Sequence, residues 1–155
     1  MDLEFSVRVQ APRETLFAFH TNPENLRVLL DGWPCTEVLS TEGHIKPGAQ
    51  VKGREHVGPV SFSFVFEHFL FEPPHRFGER IKMGPFKRFE HVHEFELVEG
   101  DPDATIVHDL ITLELPWWLG GALATRWIVA PRLRRFFAHR SRAYKRLAAE
   151  GRLST

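Results

Sequence analysis

A chain of 155 residues that is 43% hydrophobic and holds 14 phenylalanines fits one domain, 1–155, able to bury about 70% of its unfolded surface without help from a metal. Its one cysteine, Cys35, excludes an internal disulfide, and no stretch approaches the roughly 18 apolar residues of a membrane span. The zero net charge hides a split: residues 1–125 carry 19 acidic and 11 basic groups (−8), residues 126–155 carry 1 and 9 (+8).

In chain order, LEFSVRV at 3–9 alternates as a first strand. Two short helices are predicted near 12–19 and 23–30, each opened by a proline (Pro12, Pro23), the second capped by Asn22 and ended by Asp31-Gly32. Strands follow at 35–41, 50–57, 60–71, 76–83, 86–98 and 104–115, parted by KPG, VGP, EPPH, MGP and EGDPD. Short connections imply an antiparallel meander. After Pro116 apolar residues at 123, 127, 130, 133, 137, 144 and 147 keep helical spacing to about 149, with one gap at Arg140 and a kink or break expected at Pro131. The class is therefore α+β. A twisted antiparallel sheet of about seven strands curls around one long C-terminal helix, with two short helices after the first strand and space left between the layers.

FKRFEHVHEFEL at 86–97 sets Phe89, His91, His93, Phe95 and Leu97 on one strand face and Glu90, Val92, Glu94 and Glu96 on the other. An apolar face carrying two imidazoles is a candidate site. Together with APRETLFAFHTNPENL, FEPPHRF, GPFKRFEHVHEF, ATIVHDLITLELP and LRRFFAHR, in that order from residue 3 to 148, it makes the chain resemble the START-type helix-grip proteins of the SRPBCC superfamily. The nearer likeness is to its ligand-binding, polyketide cyclase/dehydrase-like branch. The resemblance implies a pocket for an apolar or amphipathic molecule such as a lipid, quinone or aromatic polyketide. It transfers no catalytic residue, and the catalytic group stays unknown. Two departures are noted. Phenylalanines 62, 64 and 66 stand on a strand where this branch often has tryptophan, and Glu79 stands where aspartate is common.

Matching inward positions across the turns sets His93 opposite Asp109, His91 opposite Ile111 and Glu79, and Phe77 opposite His93. The expected polar end is Glu79, His91, His93 and Asp109, joined by His68 unless a bulge near EPPH reverses that strand. The expected walls are Phe62, Phe64, Phe66, Phe77, Ile81, Phe89, Phe95, Ile111, Leu123 and Trp127. Three readings of the cluster compete: mutual satisfaction of buried polar groups, a polar anchor for a ligand, or a metal or acid–base site. The reading adopted is a non-covalent binder with no cofactor and no metal. Its alternatives are a cyclase/dehydrase-type enzyme using the same His–carboxylate pairs, and an interaction module built on the basic helix.

His20, His44, His56, His75 and His139 fall in turns or amphipathic ends and are expected exposed, Cys35 is expected to be a packed thiol, and GPF and GGA lack the spacing of a phosphate loop. Trp117-Trp118 is expected to pack against the last helix, with a hydrophobic gate or a membrane-touching tip as alternatives. The opening MDLEFSVRVQ lacks the pattern of a secretory leader, so a cytoplasmic location is expected. Partners would be a hydrophobic small molecule, with weak membrane-surface contact at most and no nucleic acid; monomer and homodimer both stay open.

Overall fold

The computed structural model describes residues 1–153. Strand β1 (Asp2–Val9) leads into helices α1 (Arg13–Thr21) and α2 (Pro23–Leu29), followed by β2 (Thr36–Thr41), β3 (Gln50–Val57), β4 (Val60–Glu72), β5 (Arg76–Met83), β6 (Arg88–Val98) and β7 (Asp101–Glu114). The sheet order is β1-β7-β6-β5-β4-β3-β2, every pair antiparallel. β1 and β2 lie on opposite edges, so α1 and α2 must strap across the concave face to join them. α2 begins as predicted, with the Asn22 side chain accepting from the Glu24 amide and Pro23 in its first turn.

The register agrees with the sequence reading: Glu79 faces His91, Phe77 faces His93, His93 faces Asp109 and His91 faces Ile111. The turn after β6 is tighter than expected. Val98 pairs with Asp101, so β7 starts three residues before the predicted 104. β4 carries register shifts at Val65/Phe66 and His68/Leu70. Between β5 and β6 the ladder runs only from Arg76↔Glu94 to Arg80↔Glu90. Beyond it Ile81 and Met83 pair with β4 alone, while Arg88 and Phe89 pair with β7 alone.

After a single 3-10 turn (Trp117–Leu119) the chain is helical from Gly121 to Ala149. It passes from α3 (Gly121–Ala124) through a π turn (Thr125–Val129) into α4 (Ala130–Ala149). Gly120, at φ 89°, ends the 3-10 turn in a left-handed conformation, and a Cβ there would stand 2.7 Å from that of Ala124. Pro131 does not break the helix. It lies at the start of α4, and the π turn before it accommodates the missing amide and the bulk of the ring.

The buried residues form two groups. One joins α1, β1, β7 and the end of α4 through Leu16, Phe17, Val9, Val107, Tyr144 and Leu147. The other joins β6, β7 and the middle of α4 through Phe89, Ile111, Leu113 and Phe137, with Phe5 stacked on Phe137 at 4.4 Å.

Candidate functional site

β6 aims His91 and His93 at the concave side, where both are buried beside Asp109 of β7. One carboxylate oxygen of Asp109 collects three groups: His91 Nε2 at 3.0 Å, His93 Nδ1 at 2.7 Å and Arg140 Nη1 at 3.5 Å. The His93 contact lies off the line of a hydrogen bond and leaves that nitrogen without a proper partner. Glu79 of β5 sits 3.5 Å from His91 Nδ1 and 3.6 Å from His68 Nε2. The shift within β4 keeps His68 buried on this side, its Nδ1 3.1 Å from the Ala49 carbonyl oxygen.

Three members of this cluster, Arg140, His20 and Tyr144, escaped the sequence reading. Arg140 of α4, 4% exposed, donates to the Tyr144 hydroxyl at 3.1 Å and lies 5.1 Å from the centre of the Phe137 ring. Its signal was the single polar gap in the apolar stripe of the helix. His20 is corrected from exposed to clustered. Its ring lies 4.5 Å from that of His93, it is hydrogen-bonded to Tyr144, and its Nε2 is 3.3 Å from Arg140. Its place three and four residues after Phe17 and Leu16 was the readable sign.

Burial alone would raise the Asp109 pKa, but the Arg140 charge and the two imidazoles hold it well below the usual carboxylate range. Glu79 is likewise opposed by burial yet is pulled down to about 2 by His91 and His68. Burial works against a charged His91, but the hydrogen bonds to Asp109 and Glu79 outweigh it and raise its pKa. Burial, reinforced by the His91 charge, lowers His93 to about 3, and burial with His93 and Arg140 nearby lowers His20 well below its ordinary value. Burial raises Tyr144 to about 12. The result is two carboxylates that face Arg140 and an imidazole, His91, shifted toward its charged form, with His20 and His93 shifted toward the neutral form.

Beside the cluster lies a hollow of about 390 Å³, mostly apolar, between the sheet, α1–α2 and the last helix. Phe62, Phe64, Phe66, Phe77 and Phe89 line it, as do Glu79, His68, His91 and His93. Ile81, Phe95, Ile111 and Asp109 do not. Ile81, Phe95 and Ile111 pack into the buried groups, and Asp109 lies behind the histidines. Leu123 and Trp127 are also corrected, being 72% and 70% exposed. A π turn holds an extra residue, which rotates the segment before it about the axis, and Thr125 takes the buried position. The helical wall is instead Leu119, Ala124, Ile128, Val129, Leu133 and Phe136. A second polar point was also missed: Arg132 donates to Glu55 at 2.7 Å, and Thr36 hydrogen-bonds the same carboxylate.

Donor atoms of Glu79, His91 and His93 all lie within 4.8 Å of one another, a set that could be drawn onto a divalent ion. In the structure as it stands each already faces a partner of opposite or complementary charge. Of the other histidines, His44 and His75 are exposed as expected, while His56 and His139 are half-buried. Cys35 is half-buried.

Solved structures with the same fold cover nearly the whole chain. A Thermus thermophilus protein aligns at TM-score 0.72 and 19% identity over 97% of this chain and 99% of its own. Norcoclaurine synthase from Thalictrum flavum, a point mutant in complex with a transition-state analogue, aligns at 0.72 and 14% over 97% and 95%. A START superfamily protein from Mycobacterium smegmatis aligns at 0.68 and 15% over 96% and 97%. Among curated proteins, none matches by sequence. The family model described as polyketide cyclase / dehydrase and lipid transport matches residues 9–138.

Proposed function

The chain belongs to the polyketide cyclase / dehydrase and lipid transport family, within the helix-grip SRPBCC superfamily, and from that membership we propose that it holds a hydrophobic or amphipathic small molecule between sheet and last helix. The carrying observation is the hollow of about 390 Å³, phenylalanine-walled and closed at one end by an imidazole–carboxylate cluster. That volume is in the range of small-molecule sites. Burying apolar area contributes roughly 25 cal/mol per Å² before association costs, so a lipid, quinone or polyketide-like guest needs few hydrogen bonds.

The polar end narrows the guest. Two carboxylates line the hollow: Glu55 is engaged by Arg132 and Thr36, while Glu79, at the imidazole end, is held ionised. An ionised carboxylate accepts and does not donate, so it suits a guest whose polar end offers a hydroxyl. The enzyme reading draws on His91, a hollow-lining group whose pKa is raised from the ordinary imidazole value.

The test is native mass spectrometry and organic extraction on protein purified without detergent, paired with titration of a neutral fluorescent probe, N-phenyl-1-naphthylamine. Wild type is expected to carry or take up one apolar molecule. Leu133→Trp, which fills the hollow from the helix side, is expected to weaken probe binding by on the order of ten-fold or more. Equal probe binding by a folded Leu133→Trp variant would refute the proposal.

A further inference from the structure

Strand directions bring the turn 58–59, the turn 84–87 and the segment 115–129 to one end of the molecule, since Val57 pairs with Val60, Phe89 with Leu113 and Asp2 with Thr112. That end is oily. Trp117, Trp118, Leu123, Trp127 and Ile128 are 86%, 65%, 72%, 70% and 59% exposed, and Val60 and Met83 in the neighbouring turns are at least half exposed. Three of the chain's four tryptophans stand there. Lone exposed apolar residues mean little, but a contiguous tryptophan-rich patch marks an interaction surface.

Two further observations say what covers it. Lys87 and Arg88 at this end are neutralised by Glu114 at 2.6 Å and Glu90 at 2.8 Å. The helix rising from the patch is neutralised only in part: Arg132 pairs with Glu55, but Arg126, Arg134 and Arg135 are exposed and have no ion-pair partner among the described residues. Arg134 and Arg135 follow Trp127 by seven and eight residues and so stand about two turns further along the helix. Indole rings below a tier of free arginines match the boundary of an anionic bilayer, apolar inward and phosphate outward. The same segment walls the hollow through Leu119, Ala124 and Ile128, so whatever the patch touches adjoins the cavity.

We propose that this end is a docking surface for an anionic lipid bilayer, with Trp117, Trp118 and Trp127 entering the interface and Arg126, Arg134 and Arg135 facing headgroup phosphates. The proposal concerns the outer surface and stands whether or not the hollow takes a guest.

The full chain is mixed at low salt with vesicles of phosphatidylcholine alone and of phosphatidylcholine with phosphatidylglycerol, then sedimented, with tryptophan emission recorded. Wild type is expected to co-sediment with the anionic vesicles, with a blue-shifted emission and binding that falls as salt rises. Trp117→Ser with Trp118→Ser is expected to lose on the order of ten-fold or more in partitioning. Arg134→Gln with Arg135→Gln is expected to lose about five-fold per charge on anionic vesicles alone. These side chains are exposed, so unchanged melting temperatures and unchanged probe uptake confirm that the variants are intact. No partitioning by wild type, or equal partitioning by the tryptophan variant, overturns the proposal. So does a wild-type dimer by light scattering that the tryptophan variant dissociates, since the patch would then be covered by a second copy.

Discussion

At the scale of single residues, the site is an exercise in sharing charge out of water. Asp109 is tolerable inside the fold because Arg140, His91 and His93 converge on one of its oxygens. The arrangement fixes how stability depends on pH. His93 and His20 have folded pKa values below the unfolded 6.5, so the unfolded chain binds protons first as pH falls, and stability is lost from about 6.5 downward. Glu79, at about 2 against 4.5 unfolded, adds a loss of the same sign below 4.5, as does Asp109 below its ordinary value. His91 has the opposite sign: its contribution is whole below 6.5 and fades as pH rises through its raised value. Thermal melts should therefore fall throughout from pH 6.5 to pH 3. His93→Phe should flatten the limb between 6.5 and 4.5 by about 1 kcal/mol per pH unit; an unchanged limb would contradict this reading. Much of this chemistry was legible, because alternation and turn lengths place His91, His93, Glu79 and Asp109 in register. Arg140 and His20 come from helices, and strand pairing carries no information about which helical residue will reach the sheet.

At the scale of elements, strands were read better than the last helix. Period-two patterns survive bulges well enough that every predicted strand exists, within one to three residues at the ends. The helix is harder to read because a 3–4 spacing does not hold throughout: Pro131 marks an irregularity, but not that it takes the form of a π turn at Thr125–Val129, which shifts the buried face. Shape between strands is set by smaller features. Gly53 of β3 lies opposite Phe64 of β4, and a Cβ there would stand 2.4 Å from the Phe64 ring and 2.9 Å from the Glu37 carbonyl oxygen. Phe64 is also a wall of the hollow. Gly53→Ala should thus cost about 1–3 kcal/mol and push the ring into the hollow, lowering both the urea midpoint and the affinity for an apolar probe. A variant with wild-type values in both would show that the ring has room elsewhere.

At the scale of the whole molecule, sequence patterning tells which face of a strand is apolar but not how far the opposite layer stands from it. Phe89 and Phe95 share a face of β6, yet only Phe89 borders the hollow while Phe95 is edge-on to Phe17, 5.2 Å away, in the solid core. The same global view gives meaning to the short β5–β6 ladder. Past Arg80↔Glu90 the sheet is two leaves, β2–β5 and β6–β7–β1, bound along a spine at one end and unstitched at the other. Such a binding lets the leaves part like a book at its free margin, where Pro85 and Phe86 meet the cavity, without melting either leaf. Amide exchange should accordingly be faster at 81–83 and 88–89 than at 76–80, and apolar probe should slow the first pair toward the second. A bulky guest would then enter between pages, and the strap of short helices could stay closed.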